Sequence, residues 1–367
     1  MAYVQGNYIL LKILYILIMS RTRRVLGPGD DDMEIRKVQI TGGSSFIVSL
    51  PKEWVRDSNI KKNDAVGLIV QPDGSLTITP RITGQAAERV KNIDLKNIED
   101  PEHLYRLLIG AYVTGFNTIR MTSPTRIPAF AHKAVRMFIQ ASIGQEVSEQ
   151  TDRLIVIKDL LNPGEMPFDN VISRMQVIIQ EMLRDSVFAL RSRDRELAED
   201  VISRDRDVNR LYWLISRQYN LLLRNVSLSR EMGTNVEMAL HYLQIARVME
   251  RAGDQVVKIA ENVLTLMFIS MERKMLDIIQ SLSVEAMDIF ETSVRSFFNR
   301  DPKMTNETLE RVKKFSERCN QASHELFDVE RPGIVHVGYI VENLKRVGEY
   351  SGVICETSIN YYVMMRE

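Results

Sequence analysis

The segment from Met249 to Glu261 reads MERAGDQVVKIAE, and it recurs from Leu344 to Glu356 as LKRVGEYSGVICE with its glycine in register. Each copy lies in the last of three long amphipathic segments, and these segments fill the chain from Pro167 onward. Segments of this length with one apolar face pack side by side in helical bundles. We therefore expect an all-α region of tandem three-helix bundles, with the first repeat at residues 167–269 and the second at 271–365.

A pattern of short strands and tight turns occupies residues 33–82. The stretch 38–80 reads VQITGGSSFIVSLPKEWVRDSNIKKNDAVGLIVQPDGSLTITP. Apolar and polar residues alternate in it with the period of two that is typical of β-strands, and Gly42-Gly43 and Pro72-Asp73-Gly74 are turn sequences. Four strands in so few residues bury too little apolar surface to be stable alone. A dimer that shares strands between two copies would solve this.

Strand-like and helical patterns alternate between these two regions. NTIRMTS at 117–123 and RLIVIKD at 153–159 are strand-like, whereas 101–116 and 127–144 carry apolar residues at helical spacing. This alternation favours a small α/β module at residues 91–160. The fold class is thus multidomain, and the sequence of the module gives no motif that identifies a ligand.

Residues 1–32 are predicted to be an unstructured extension or the product of an upstream start codon. The run from Tyr8 to Met19 is apolar, but it is shorter than the ~20 residues that a bilayer crossing needs, and Lys12 interrupts it. We therefore expect no membrane span, and a short helix on the membrane surface is the alternative.

The composition excludes several classes of protein. Lys and Arg number 48, as do Asp and Glu, so the formal net charge is zero and any DNA contact needs a local basic patch. Cys319 and Cys355 form no CxxC pair, which favours a reducing compartment and a cytoplasmic protein. No P-loop, nucleophile elbow or HExxH motif is present in the sequence. We therefore expect a protein that is not an enzyme.

The stretch 38–80 resembles the AbrB, MazE and SpoVT family of swapped-hairpin domains. The family pattern is a strand, a glycine-bearing turn, a strand ending in Pro-Lys, a short helix, a Gly-Asp or Asn-Asp pair and a closing hairpin. Here Gly42-Gly43, Pro51-Lys52 and Asn63-Asp64 stand at those places. The resemblance implies an intertwined homodimeric β-barrel, so the expected partner is a second copy of the chain.

The same resemblance implies that DNA binds to one face of the dimer. The residues expected to contact phosphates are Arg36, Lys37, Lys52 and Arg56, with Ser44 and Ser45 as hydrogen-bond donors in the turn. Family members that bind DNA well carry arginines near the first turn, where this chain has glycine and serine. The alternative is therefore a domain that only dimerises, with Lys61 and Lys62 offset by neighbouring aspartates.

The helix that contains the recurring segment resembles the signature helix of PhoU, the phosphate-uptake regulator. That signature is an arginine, two residues, Glu-Arg-x-Gly-Asp, and then Asn-x-Ala-Glu. The chain has Arg247, then the run Glu250 to Asp254, then Lys258 to Glu261, with lysine in place of the amide. The resemblance covers both repeats and is stronger in the first. It implies a cytoplasmic negative regulator of phosphate uptake that works with the high-affinity phosphate transporter.

The PhoU resemblance also implies metal binding through carboxylates four residues apart. Residues i and i+4 share a helix face, so Glu250 and Asp254 should project together, with Asp205 facing them from the second helix. Such hard oxygen donors suit a divalent or ferric ion in the first repeat. The alternative is a solvated face on which Glu250 and Asp254 pair with Arg247 and Arg251.

The second repeat should lack the metal. Lys345 stands where the first repeat has Glu250, and Glu349 stands where it has Asp254. Glu317 and Gln321 are expected on the facing helix. A lysine ammonium at this place would occupy the position of a cation.

These observations favour a phosphate-responsive regulator whose β-domain dimerises and contacts DNA. The alternative is an accessory protein that docks on the ATPase of the phosphate transporter and uses the β-domain only to dimerise.

Overall fold

The computed structural model describes residues 34–70, 74–80, 88–225, 228–327 and 333–365. The chain divides into two compact units, Met1–Gln85 and Ala86–Glu367. The predicted extension at residues 1–32, with its apolar run, lies outside the described residues.

The first unit consists of two antiparallel hairpins and one short helix. Its elements are β1 (Gln39–Thr41), β2 (Ser45–Ile47), α1 (Lys52–Asp57), β3 (Gly67–Val70) and β4 (Leu76–Thr79). β1 pairs with β2 so that Ile40 lies opposite Phe46, and β3 pairs with β4 so that Leu68 lies opposite Ile78. Gly42 and Gly43 make the first turn with φ of 63° and 85°, values that glycine adopts without strain.

The described strands of the first unit form two separate sheets and do not close a barrel. Apolar side chains on both hairpins remain exposed: Ile40 is 66% exposed, Phe46 73%, Leu68 60% and Val70 75%. Exposure on this scale follows from the small size of the unit, because one copy supplies too few strands to cover its own apolar faces.

The second unit begins with the predicted α/β module. Its elements are β5 (Val90–Asp94), a 3₁₀ turn (Leu95–Asn97), α2 (Pro101–Val113), β6 (Thr118–Thr122), α3 (Ala129–Ala141), β7 (Gln145–Gln150) and β8 (Leu154–Asp159). The strand order is β5-β6-β8-β7; β5 and β6 are parallel, and the other pairs are antiparallel. The two strands read from the sequence, β6 and β8, lie at the centre of the sheet. Both helices pack on the sheet over a core that includes Leu104, Phe138 and Ile157.

The rest of the second unit is helical, which confirms the predicted tandem bundles. A 3₁₀ turn (Pro163–Glu165) leads into α4 (Phe168–Ser192), α5 (Arg195–Leu222), a short α6 (Leu228–Glu231) and α7 (Val236–Leu266), and the second set is α8 (Arg273–Asn299), α9 (Pro302–Phe327) and α10 (Ile334–Met364). The turn between the first and second helices has the same structure in both sets. Arg193 and Arg300 adopt φ of 56° and 51°, and the following Asp194 and Asp301 cap the next helix. No helix in the described part of the chain has both the length and the hydropathy of a membrane crossing.

The two helical repeats share one continuous apolar core. α7 and α10, the helices that carry the recurring segment, pack against each other. The ring of Phe297 in the second repeat lies 5.2 Å from that of Tyr242 in the first and 5.1 Å from that of Tyr361. Aromatic contacts of this kind stabilise a junction beyond the area that they bury.

The glycine shared by the two recurring segments lies at a helix contact in both repeats, and only the contact of the second repeat leaves no room for a Cβ. A Cβ at Gly253 on α7 would lie 3.4 Å from Val208 on α5, and a Cβ at Gly348 on α10 would lie 2.5 Å from Phe315 on α9. The equivalent helix pairs therefore approach each other at the same place in both repeats, and more tightly in the second.

Candidate functional site

The three predicted metal ligands lie close together in the first repeat. Asp205 is on α5, one turn before the residue that packs against Gly253, and Glu250 and Asp254 are on the same stretch of α7. Their charges interact: Asp254 and Asp205 each influence the ionisation of Glu250. The packing of α5 against α7 thus creates a cluster of three carboxylates.

Burial and mutual repulsion make these carboxyl groups hard to ionise. Partial burial, followed by the charge of Asp254, raises the pKa of Asp205. Burial and then the charges of Asp254 and Asp205 raise the pKa of Glu250, against the opposing effect of Arg251 and Arg247. Burial also raises the pKa of Asp254. The positive charges of Arg247 and Arg251 therefore do not fully offset the effects of burial and of the neighbouring carboxylates on the pKa of Glu250.

Asp205 has one oxygen that is paired and one that is not. Its Oδ2 accepts a hydrogen bond of 2.7 Å from Asn209 Nδ2, so the amide orients the carboxylate. Its Oδ1 is buried and has no hydrogen-bond partner within the described residues. A buried, unpaired oxygen in a cluster of negative charge fits a cation as its missing partner.

The oxygen donors of the cluster are of the kind that a hard cation prefers. The positions of the side chains, however, do not form a complete coordination shell. Among the described residues, no group of three or more His, Cys, Asp or Glu side chains is arranged to hold a metal ion. Asp205, Glu250 and Asp254 would hold a divalent or ferric ion through hard oxygen donors, which are the ligands such ions prefer. Metal binding here stays a prediction.

A glutamine at position 250 should stabilise the metal-free protein at neutral pH. Because the carboxyl pKa of Glu250 is raised on folding, ionisation costs stability as pH rises through that pKa. We expect Glu250→Gln to raise Tm at pH 7 in chelator and to leave it unchanged at pH 4, where the native carboxyl binds its proton. Added Mn²⁺ should raise Tm in the wild type and have no effect on the variant.

The matched control for this variant is Glu349→Gln in the second repeat. Glu349 is paired with Lys345, so its neutralisation should not raise Tm. A Tm for Glu250→Gln below that of the wild type at pH 7 in chelator would contradict the repulsive cluster.

The second repeat contains a cation of its own. Lys345 Nζ lies 3.9 Å from Glu349 Oε1 and 4.0 Å from Glu342 Oε2. In the second repeat, Lys345 therefore puts a positive charge where the first repeat has the carboxylate of Glu250. Glu317 and Gln321 lie on the facing helix α9, as expected; both are exposed, and Ser316 of the same helix lies 3.5 Å from Glu349.

The six residues expected to contact DNA are all exposed: Arg36, Lys37, Ser44, Ser45, Lys52 and Arg56. Ser44 and Ser45 lie at the end of the glycine turn, and Lys52 and Arg56 are one turn apart on α1. Arg36 pairs with Glu34, and Arg56 Nε lies 3.4 Å from Asp57 Oδ1. Within the described residues Lys37 and Lys52 form no ion pair, so their charges are available to a ligand.

Sequence reasoning missed a buried ion pair between α5 and the α/β module. Arg217 Nε donates a 3.0 Å hydrogen bond to Asp159 Oδ2, and its side chain is only 3% exposed. Arg217 Nη1 also donates to the backbone oxygens of Tyr112 and Phe116. The only sequence signal was an arginine within the largely apolar run LYWLISRQYNLLL. The pair lies where the α/β module meets the helical bundle and holds the two together.

Comparison with known proteins gives matches to two family models. The PhoU domain model matches residues 172–263, and the model of the antidote-toxin recognition protein MazE, a bacterial antitoxin, matches residues 39–85. The first match covers most of α4, all of α5 and most of α7, and so includes all three residues of the carboxylate cluster. The second covers both hairpins of the first unit.

Individual PhoU proteins resemble the chain over about half its length. The phosphate-specific transport system accessory protein PhoU homolog of Rhizobium meliloti (strain 1021) is 24% identical over 192 residues, which are 51% of this chain and 80% of that protein. The crystal structure of the phosphate transport system regulatory protein PhoU from Streptococcus pneumoniae matches with a TM-score of 0.46 and 19% identity, over 55% of this chain and 94% of that chain. PhoU from Pseudomonas aeruginosa matches with a TM-score of 0.48 and 18% identity, over 54% and 95%. By these family models the chain is similar to the PhoU domain over residues 172–263 and, ahead of it, to the MazE antitoxin over residues 39–85.

Proposed function

We propose that this protein regulates phosphate uptake by binding DNA as a dimer, with the PhoU-type helices responding to phosphate status. The observation that carries the proposal is the fusion of the two domains in one chain. A swapped-hairpin domain joined to a PhoU domain would link the phosphate response to DNA without a separate transcription factor. The PhoU homolog of Rhizobium meliloti, named as an accessory protein of phosphate-specific transport, supports the phosphate role.

The exposed hairpins support a dimer as the acting species. Ile40, Phe46 and Leu68 are all more than half exposed on short strands. A second copy of the first unit would cover them and would supply the strands that one copy lacks. Dimerisation would also double the number of basic side chains that one DNA duplex meets.

The surface charges of the first unit support DNA as the ligand. Lys37 and Lys52 are unpaired within the described residues, and Arg36 and Arg56 have only exposed carboxylates as partners. Exposed ion pairs contribute little, so phosphates can replace those carboxylates. Ser44 and Ser45 would add hydrogen bonds to the backbone of the duplex. In this proposal the protein lies in the cytoplasm. The two cysteines of the chain are both buried thiols and would stay reduced there.

DNA binding by the purified protein should depend on salt and on the four basic residues. Each basic side chain that no longer neutralises a phosphate reduces the slope of log K against log salt by about 0.9. We expect a variant with Arg36, Lys37, Lys52 and Arg56 all replaced by alanine to bind duplex DNA at least about 100-fold more weakly, with a flatter salt dependence. Fluorescence anisotropy with DNA from upstream of phosphate-transport genes measures both quantities.

The matched control replaces Lys61 and Lys62 by alanine; these two lysines belong to the same unit but are not among the residues expected to contact DNA. This control should bind DNA nearly as the wild type does. Equal affinity of the four-residue variant and the wild type would exclude the proposed DNA face.

A second function keeps the phosphate role but places the protein at the phosphate transporter. It is favoured by the name of the Rhizobium meliloti relative, which describes an accessory protein of a transport system. The helical repeats would then dock on the transporter ATPase, and the first unit would only dimerise. Normal control of phosphate uptake in cells that carry the four-alanine variant would favour this function over DNA binding.

A further inference from the structure

A cleft between the α/β module and the helical bundle forms a cavity of about 760 Å³. One wall is a stripe of α5 that includes Ser203, Arg206 and Arg210, and the other wall comes from α2 and α3. Cavities of about 300–1,000 Å³ are typical of small-molecule sites. Neither the carboxylate cluster nor the residues expected to contact DNA line this cleft.

One part of the cleft is aromatic. Tyr105 of α2 and Trp213 of α5 line it, with ring centroids 6.5 Å apart and planes at 67°. Both side chains are half-buried, so each leaves part of its ring surface open to the cavity. Aromatic rings of this kind are surfaces on which a flat heterocycle stacks.

The other part of the cleft is rich in arginine. Arg204, Arg206 and Arg210 line it together with Asp200 and Asp207. Arg204 is held by Asp185 and Asp200, and Arg210 Nη1 lies 3.6 Å from Asp207. Arg206 forms no ion pair in the described part of the chain and is exposed, with one hydrogen bond of 3.3 Å to the Ser203 backbone oxygen.

Arg210 also has a donor that the protein does not satisfy. Its Nε is buried and has no hydrogen-bond partner among the described residues, while its Nη2 donates over 3.4 Å to the Ser142 backbone oxygen. A buried guanidinium donor without an acceptor costs free energy, and an anion in the cleft would satisfy it. Guanidinium groups bind phosphate oxygens in a planar, two-donor geometry.

We propose that this cleft binds a nucleotide, with its phosphates on Arg206 and Arg210 and its base against Tyr105 and Trp213. The aromatic and cationic parts lie in one cavity along α5, since Arg206, Arg210 and Trp213 are spaced four and three residues apart and share a helix face. A nucleotide has the same order of groups, with a flat base at one end and phosphate at the other. The module and the bundle would both contact the ligand.

The test uses fluorescence of the full-length Trp54→Phe variant, in which Trp213 is the only tryptophan. The probes are AMP, ATP, adenosine and pyrophosphate, each titrated to millimolar concentration. We expect a saturable change in Trp213 emission with AMP or ATP, and weaker binding of both adenosine and pyrophosphate. Arg206→Ala should weaken nucleotide binding at least about tenfold because charge-assisted hydrogen bonds are removed, and this exposed position should tolerate the change.

The matched control is Arg273→Ala, which removes an arginine at the start of α8 that is 92% exposed. It should leave nucleotide binding unchanged. No saturable signal with any nucleotide would overturn the proposal, and so would an unchanged affinity in Arg206→Ala. Equal binding of pyrophosphate and ATP would refute the role of the aromatic rings, and equal binding of adenosine and AMP would refute the role of the arginines.

Discussion

Replacement of Arg217 by alanine is expected to lower the free energy of unfolding of the Ala86–Glu367 unit by about 3–5 kcal/mol. The guanidinium is buried, donates to Asp159 and to two backbone oxygens, and lies over the ring of Tyr112 with Cζ 4.9 Å from the ring centroid. Its removal leaves the carboxylate of Asp159 buried without its counter-charge and leaves the carbonyls of Tyr112 and Phe116 without donors. Urea denaturation followed by circular dichroism measures the decrease.

The control for this variant is Arg195→Ala on the same helix. Arg195 pairs with Glu199, and both side chains are at least half exposed, so the change should cost no more than about 0.5 kcal/mol. Addition of Asp159→Asn to Arg217→Ala should recover part of the stability, because the second change removes the unpaired charge. A decrease for Arg217→Ala as small as that for Arg195→Ala would show that the pair does not fix the module to the bundle.

A carboxylate at position 40 is expected to weaken dimerisation of the protein at least about 100-fold, which corresponds to ~2.8 kcal/mol. Ile40 is 66% exposed in the single chain, so Ile40→Asp should cost the isolated unit little. In the proposed dimer this face is covered, and an unpaired carboxylate there would lose its hydration. Sedimentation velocity over a range of protein concentrations measures the dimer constant.

The matched control is Gln39→Asp, which places the same charge on the opposite face of β1. Successive side chains of a strand point to opposite sides, so this carboxylate should stay in water. We expect the control to dimerise as the wild type does. A wild type that is monomeric at micromolar concentration would contradict the dimer, and equal effects of the two variants would contradict the covered face.

Periodicity in the sequence predicted most of the helical fold. The recurrence of MERAGDQVVKIAE placed the third helix of each repeat, and the structure explains the glycine of the second copy, since a Cβ at Gly348 would lie 2.5 Å from Phe315 on α9. The carboxylate cluster was predictable for the same reason. Residues four apart on α7 share a helix face, and Asp205 was expected to face them from the second helix.

Features that depend on how a helix is rotated about its axis, or on contacts between residues far apart in the sequence, were not predictable from the sequence. The approach of Ser316 on α9 to Glu349 depends on the rotation of α9 against α10, and the sequence does not give that rotation. Asp159 and Arg217 are 58 positions apart, and charged residues on an amphipathic helix are normally solvated, so nothing local marked them as a buried pair. The cleft beside Trp213 depends on this same packing of the module on the bundle.

The most direct test of the central claim is genome-wide mapping of the protein on DNA in phosphate-replete and phosphate-starved cells. The proposed function predicts that the full-length protein is enriched upstream of phosphate-transport genes, that the enrichment changes with phosphate supply, and that it disappears when Arg36, Lys37, Lys52 and Arg56 are alanine. Absence of enrichment in both conditions, or equal enrichment of the four-alanine variant, would contradict it.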